Sequence, residues 1–180
     1  RYVWTGGIEE DDDAFYNDEK RAGKYDGKND QYGNPFQSNT LIDDSREGRL
    51  KTIDDLNTAD TLYSYGGRGF SIYDSKGNLV YDSGNLTETL AEQLGVYDDG
   101  RSDDKGTEPE GITTAVINGK TYAFVGLERG TSSTVLQFDI SNPYKPVYKQ
   151  ALQNGDAISP EGLQFISDGN GGGWLQVANE

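Results

Sequence analysis

The sequence predicts an all-β fold: a β-propeller fragment of about two to three four-stranded antiparallel blades, with one short helix inserted near residues 86–94. Three observations predict it. Pro109-Glu110-Gly111-Ile112 recurs as Pro160-Glu161-Gly162-Leu163, 51 positions on. Phe70-Ser71-Ile72-Tyr73-Asp74, a turn and Leu79-Val80-Tyr81 match Leu136-Gln137-Phe138-Asp139-Ile140, a turn and Pro146-Val147-Tyr148. Short β-rich runs follow one another with Gly, Asn and Pro between them, at the roughly 8–12-residue spacing of an all-β domain. Four strands per unit at a period near 50 is the arithmetic of a propeller blade.

Residues 1–60 read as a long acidic, Gly-rich excursion with little regular structure. Tyr2-Val3-Trp4 could end a strand, and the acidic run Glu9–Asp13 follows. A loop of this length is usually functional, ion-ordered or disordered. Residues 61–180 carry the blades. Leu62–Tyr65, Phe70–Tyr73 and Leu79–Tyr81 are strands separated by turn residues. Asn85 offers an N-cap, Glu88 completes a capping box three residues on, and Gly95 closes the helix. Further strands are expected at 112–117, 121–127, 134–139, 146–151, 163–167 and 174–178. Asp74 and Asp139 are 65 apart, and the helix with its acidic loop absorbs the excess. Two or three blades cannot close a ring. The chain therefore reads as an internal fragment, with the rest of its propeller beyond this stretch or in an associated chain.

Composition narrows the chemistry. Sixteen Lys and Arg against 31 Asp and Glu leave a net charge of −15, which repels a phosphate backbone and argues against nucleic acid. No apolar run approaches the roughly 18 residues a membrane span requires. With neither His nor Cys, the chain offers no Ser-His-Asp triad, Cys nucleophile, or thiolate or imidazole zinc site. Carboxylates, hydroxyls, carbonyls, Arg and Lys must do the work. An acidic, Tyr-rich chain without Cys or Met leans towards an extracellular, cell-surface or periplasmic setting.

The repeat nominates the residues. Glu110 and Glu161 open the first strand of their blades, and Glu128 and Glu180 close the second. Carboxylates repeated around an axis repel unless something positive sits among them. A hard cation taking six to eight oxygens does this, and Ca²⁺ is the expected ion. The alternative is that Pro-Glu-Gly merely makes the turn into the strand. Asp98–Glu110 packs six carboxylates and two cations, and Asp103 and Asp104 are further candidate ligands. That loop lacks the EF-hand pattern, and local pairing with Arg101 and Lys105 is its alternative reading. Arg129 and Arg68 are the cations best placed to meet an anion. Asn85-Leu86-Thr87 matches a glycosylation sequon.

Several longer motifs occur in order. They include Gly48-Arg49-Leu50-Lys51, Arg68–Asp74, Tyr81-Asp82-Ser83-Gly84, Arg101–Gly111, Thr121–Arg129 and Val177-Ala178-Asn179-Glu180. Together they resemble the choice-of-anchor I family over about residues 41–180; residues 1–40 match no pattern. Two stretches depart from the family: Arg68-Gly69-Phe70-Ser71 where Arg-Ser-Phe-Ser is usual, and Gly130-Thr131-Ser132-Ser133 where a second Gly usually follows Glu-Arg-x-Gly. The resemblance implies a secreted or surface β-propeller, related to atypical alkaline phosphatases and to cell-surface glycoproteins associated with biomineralisation. The Glu-Gly-Ile and Glu-Gly-Leu entrances also resemble β-propeller phytases, whose acidic face holds Ca²⁺ that binds phosphate. Two functions are thereby expected. In the first, Ca²⁺ serves a phosphomonoesterase acting on phosphate esters through Glu110, Glu161, Arg129 and Lys105. In the second, the same carboxylates serve Ca²⁺-dependent assembly of a non-catalytic matrix or surface protein.

Overall fold

A computed structural model describes residues 2–6, 19–36, 49–64 and 66–180. The acidic run Glu9–Asp13 lies outside the described residues. The chain divides into two compact units: Arg1–Gly7 with Arg68–Asp98 and Thr107–Glu180, and Ile8–Gly67 with Asp99–Gly106.

The first unit is built of antiparallel sheets. Strands β6 (Pro109–Ile117), β7 (Lys120–Leu127), β8 (Ser133–Asp139) and β9 (Val147–Asn154) form one complete four-stranded blade, paired in chain order. Strands β10 (Pro160–Ser167) and β11 (Gly173–Asn179) pair as the first half of the next. A third sheet joins β1 (Tyr2–Gly6), β4 (Gly69–Tyr73) and β5 (Leu79–Asp82) in the order β1-β4-β5. There β1 stands beside β4 as β7 stands beside β8, so the first residues supply a blade strand across a long insertion. The propeller-fragment architecture is therefore present, with two incomplete blades flanking a whole one.

Packing explains why β7 is apolar without alternation. Val125 and Leu127 share a cluster with Leu136, Phe138, Phe70 and Ile72. Phe124 points the other way, joining Ala115 and Val135 against Leu163, Phe165, Leu175 and Val177. A blade with neighbours on both faces must be apolar on both, and successive side chains alternate between them. The outermost strand, β9, has the exposed pattern of a blade edge.

Helix α1 (Leu86–Gln93) lies where expected, and its Leu90 and Ala91 enter the first cluster. Its capping differs from the expectation. Asn85 makes no side-chain cap hydrogen bond. Glu88 instead accepts bonds from the Thr107 amide and hydroxyl at 2.9 and 2.7 Å and pairs with Arg68 at 3.6 Å. Tertiary partners have taken the carboxylate that a capping box would use.

Hairpin turns are held by aspartates. Asp74 accepts from the Lys76 and Asn78 amides at 2.8 and 2.9 Å, and Asp168 from Asn170 and Gly172 at 2.7 and 3.0 Å. These bonds favour the ionised form, so both carboxyls fall below the ordinary 3.8: Asp74 chiefly through the Asn78 side chain, Asp168 chiefly through the Asn170 amide. The stabilisation is present above 3.8 and lost as pH falls through the depressed native values. Acid titration of wild-type protein should therefore show stability falling below pH 3.8, and Asp74→Asn should flatten that limb. Coincident pH–stability curves for the two proteins would refute the assignment.

In the second unit, β2 (Glu19–Arg21) pairs with β3 (Lys51–Ile53). Tyr25 packs on Phe36 with ring centres 4.6 Å apart. Its hydroxyl donates to Asp54 at 2.5 Å and accepts from Asn57 at 2.6 Å. Burial, aided by Asp54, pushes Tyr25 up to about 12. Of Leu62–Tyr65, expected as a strand, Tyr65 lies outside the described residues, and Leu62–Ser64 enters only the isolated bridge Thr52–Ser64.

Candidate functional site

The two Pro-Glu-Gly repeats fold alike. Each opens an inner strand through a register shift, between Pro109 and Ile112 in β6 and between Pro160 and Gly162 in β10. The residue before each proline is left-handed, Glu108 at φ 47° and Ser159 at φ 50°. Such a conformation is costly for a side-chain-bearing residue, and finding it twice at the same phase marks a shared backbone device. The Glu128 amide donates to the Glu108 carbonyl at 3.0 Å, and the Glu180 amide to the Ser159 carbonyl at 3.1 Å. Backbone pairing thus seats Glu128 beside the first entrance and Glu180 beside the second.

Close approach of the blades requires glycine. A Cβ on Gly111 would lie 2.6 Å from the Glu161 carbonyl oxygen, and one on Gly126 would lie 2.9 Å from that of Pro160. The second entrance therefore rests directly on the backbone of the first blade. Gly111→Ala must push the sheets apart, and overpacking of this kind costs about 1–3 kcal/mol. Chemical denaturation measures it; a loss no larger than that of an exposed-residue control would contradict the close contact.

This contact brings five carboxylates together. Single oxygens of Glu108, Glu110 and Glu128 lie within 4.8 Å of one another, as do those of Glu128, Glu161 and Glu180. Glu128 belongs to both groups and is 4% exposed, while Glu108 is 1% exposed. Glu161 and Glu180 face solvent. Arg129 sits among them, its guanidinium 2.5 Å from Glu128, 3.6 Å from Glu180 and 3.8 Å from Glu108. The repulsion expected of repeated carboxylates is relieved in part by a cation from the chain itself. Five carboxylates and one guanidinium leave a net charge of −4 among these six side chains.

Of the sequence-nominated residues, the structure gathers Glu110, Glu128, Glu161, Glu180 and Arg129 on this rim. Asp103, Asp104 and Lys105 belong to the second unit. There Asp103 meets Arg49 at 3.0 Å, and Asp104, buried, lies 3.7 Å from both Arg21 and Arg49. Lys105 is also buried; beside it Lys51 is held below its ordinary value, first by burial and then by the Lys105 charge. Glu108 was missed by repeat reasoning because Ser159 replaces it in the other blade. The signal available was a second carboxylate immediately before the repeated Pro-Glu. Helix α1 supports this entrance through the Glu88–Thr107 bonds, and the Arg129 amide donates to the Thr107 carbonyl at 3.0 Å.

The Choice-of-anchor I domain profile matches residues 7–143, reaching further towards the start than the motifs and stopping before the second entrance. Gigasin-3a of Magallana gigas is 34% identical over 111 residues, covering 53% of this chain. The match spans 38% of the length of gigasin-3a. No solved structure matches. Among the described residues, no helix is long and apolar enough to cross a membrane. With more than half its length matched, the chain belongs to the choice-of-anchor I family of secreted or surface proteins.

Proposed function

We propose that the rim of Glu108, Glu110, Glu128, Glu161 and Glu180 is a Ca²⁺ site of a secreted or surface propeller, and that phosphate esters are its substrate class. One observation carries the reading: Glu128, Glu161 and Glu180, drawn from two blades, converge within 4.8 Å. The donors suit the ion. All are hard carboxylate oxygens; Glu108 and Glu128 are buried, and Glu161 and Glu180 face the solvent from which a cation enters. Arg129 engages one oxygen each of Glu108, Glu128 and Glu180, so a cation would share the rim with it.

Bound Ca²⁺ would supply charge neutralisation for an ester's phosphate oxygens. Arg129 contributes a planar fork suited to the same oxygens. Glu110 and Glu161, at the strand entrances, would accept a proton from attacking water. Lys105 takes no part in this scheme. The exposure of Glu161 and Glu180 also favours a second reading, in which Ca²⁺ bridges this rim to another molecule's carboxylates without catalysis.

Titration calorimetry with Ca²⁺ alone, followed by p-nitrophenyl phosphate assays in Ca²⁺ and in chelator, separates the readings. Binding with chelator-sensitive hydrolysis supports the phosphomonoesterase. Binding without hydrolysis supports assembly. Absence of binding returns Pro-Glu-Gly to turn-making alone.

A further inference from the structure

We propose that Asn85 is an acceptor for an N-linked glycan, independently of the rim's function. Asn85-Leu86-Thr87 satisfies the acceptor rule, with Leu rather than Pro in the middle. The motif by itself is short, and the structure adds what it lacks. Asn85 is exposed and stands just before α1, where an Asn normally turns its side chain onto the helix amides. Here its backbone, at φ −91° and ψ 19°, is outside the extended region a cap uses, and the side chain makes no cap hydrogen bond. A glycan on the amide nitrogen therefore sacrifices no capping bond.

The two outer residues of the motif have different fates in the fold. Thr87 is fully buried, its hydroxyl donating to the Arg68 carbonyl. It is available to a transferase only while the chain is still extended, which is when secreted chains are modified. Asn85 remains outside afterwards, so the sugar projects into solvent and does not disturb the cluster around Leu90 and Ala91. In the transfer, the Asn85 amide nitrogen attacks C1 of a lipid-pyrophosphate-linked oligosaccharide. The N–C1 bond forms, the bond from C1 to the pyrophosphate oxygen breaks, the amide loses one proton, and the lipid pyrophosphate departs.

The test is secretion of the chain from a eukaryotic host that glycosylates a control protein. Intact mass is then read before and after treatment with a peptide N-glycan amidase. The expected result is a heavier chain that the amidase reduces, leaving Asp at position 85 on peptide mapping. Asn85→Gln should remove the added mass, and Thr87→Ser, which keeps both hydroxyl and motif, should retain it. Should Asn85→Gln fail to be secreted, peptide mapping of the wild type still decides the site. Secreted, folded wild-type chain carrying unmodified Asn85 overturns the proposal, as does a glycan mapped elsewhere.

Discussion

Phe138→Ala is expected to destabilise the first unit by about 3–5 kcal/mol, the range for removing a fully buried aromatic ring. Phe138 has no exposed surface and sits 4.9 Å from the Phe70 ring and 5.8 Å from that of Tyr148. It shares a cluster with Leu136 and Val125 of its own sheet, Phe70 and Ile72 of the β1-β4-β5 sheet, and Leu90 of helix α1. Truncation loses the transfer energy of the ring and leaves a cavity. Collapse is resisted because the strands on both sides are pinned by their ladders, so the cavity term is retained. For a chain of this size the melting temperature should fall by on the order of 10 °C. Val116→Ala, at a side chain 61% exposed, is the control and should stay within about 0.5 kcal/mol. A Phe138→Ala loss below about 1 kcal/mol would mean that this cluster does not hold the blades together.

The second large effect concerns the cation. Carboxylates drawn together only in the native state repel, and an ion bound only there stabilises it by mass action. At free Ca²⁺ about 100 times the dissociation constant the gain is roughly 2.7 kcal/mol, or about 5–10 °C in melting temperature. Glu128→Gln should remove most of that gain, because Glu128 belongs to both carboxylate groups. Gln preserves the side-chain volume, so the loss reads charge rather than packing. Arg129→Gln should act in two directions. Without its tethered counter-charge the Ca²⁺-free protein becomes less stable, and the cation then has more repulsion to relieve, so the Ca²⁺-induced rise becomes larger. Identical melting curves in millimolar Ca²⁺ and excess chelator would remove the ion from the account. A smaller Ca²⁺ response in Arg129→Gln would mean that the guanidinium assists the site instead of competing for it.

Strand identity and blade phase were legible because both are local properties. Pro109-Glu110-Gly111 and Pro160-Glu161-Gly162 announce the same bulged entry wherever they occur, and turn residues limit the strands that follow. The matching second halves, β4–β5 and β8–β9, were readable for the same reason. Helix α1 was legible in extent, since its ends are set by neighbours in sequence. Its capping was not: Glu88 is equally suited to a cap or to Thr107, and only the fold brings Thr107 within reach.

The sequence by itself determined an acidic all-β chain of repeated blades, without the residues for imidazole or thiol chemistry, and it nominated four of the five rim carboxylates. Tertiary structure decided the rest, because side-chain partners distant in the chain have no fixed spacing to read. It placed Arg129 between Glu128 and Glu180 as an internal counter-charge, and it added Glu108 to the rim although its repeat equivalent is Ser159. It also assigned Asp103 and Asp104 to arginine pairs in the other unit. Repetition predicts where equivalent backbone goes; which charges end up facing one another depends on how closely the blades pack, and here two glycines, Gly111 and Gly126, permit that approach.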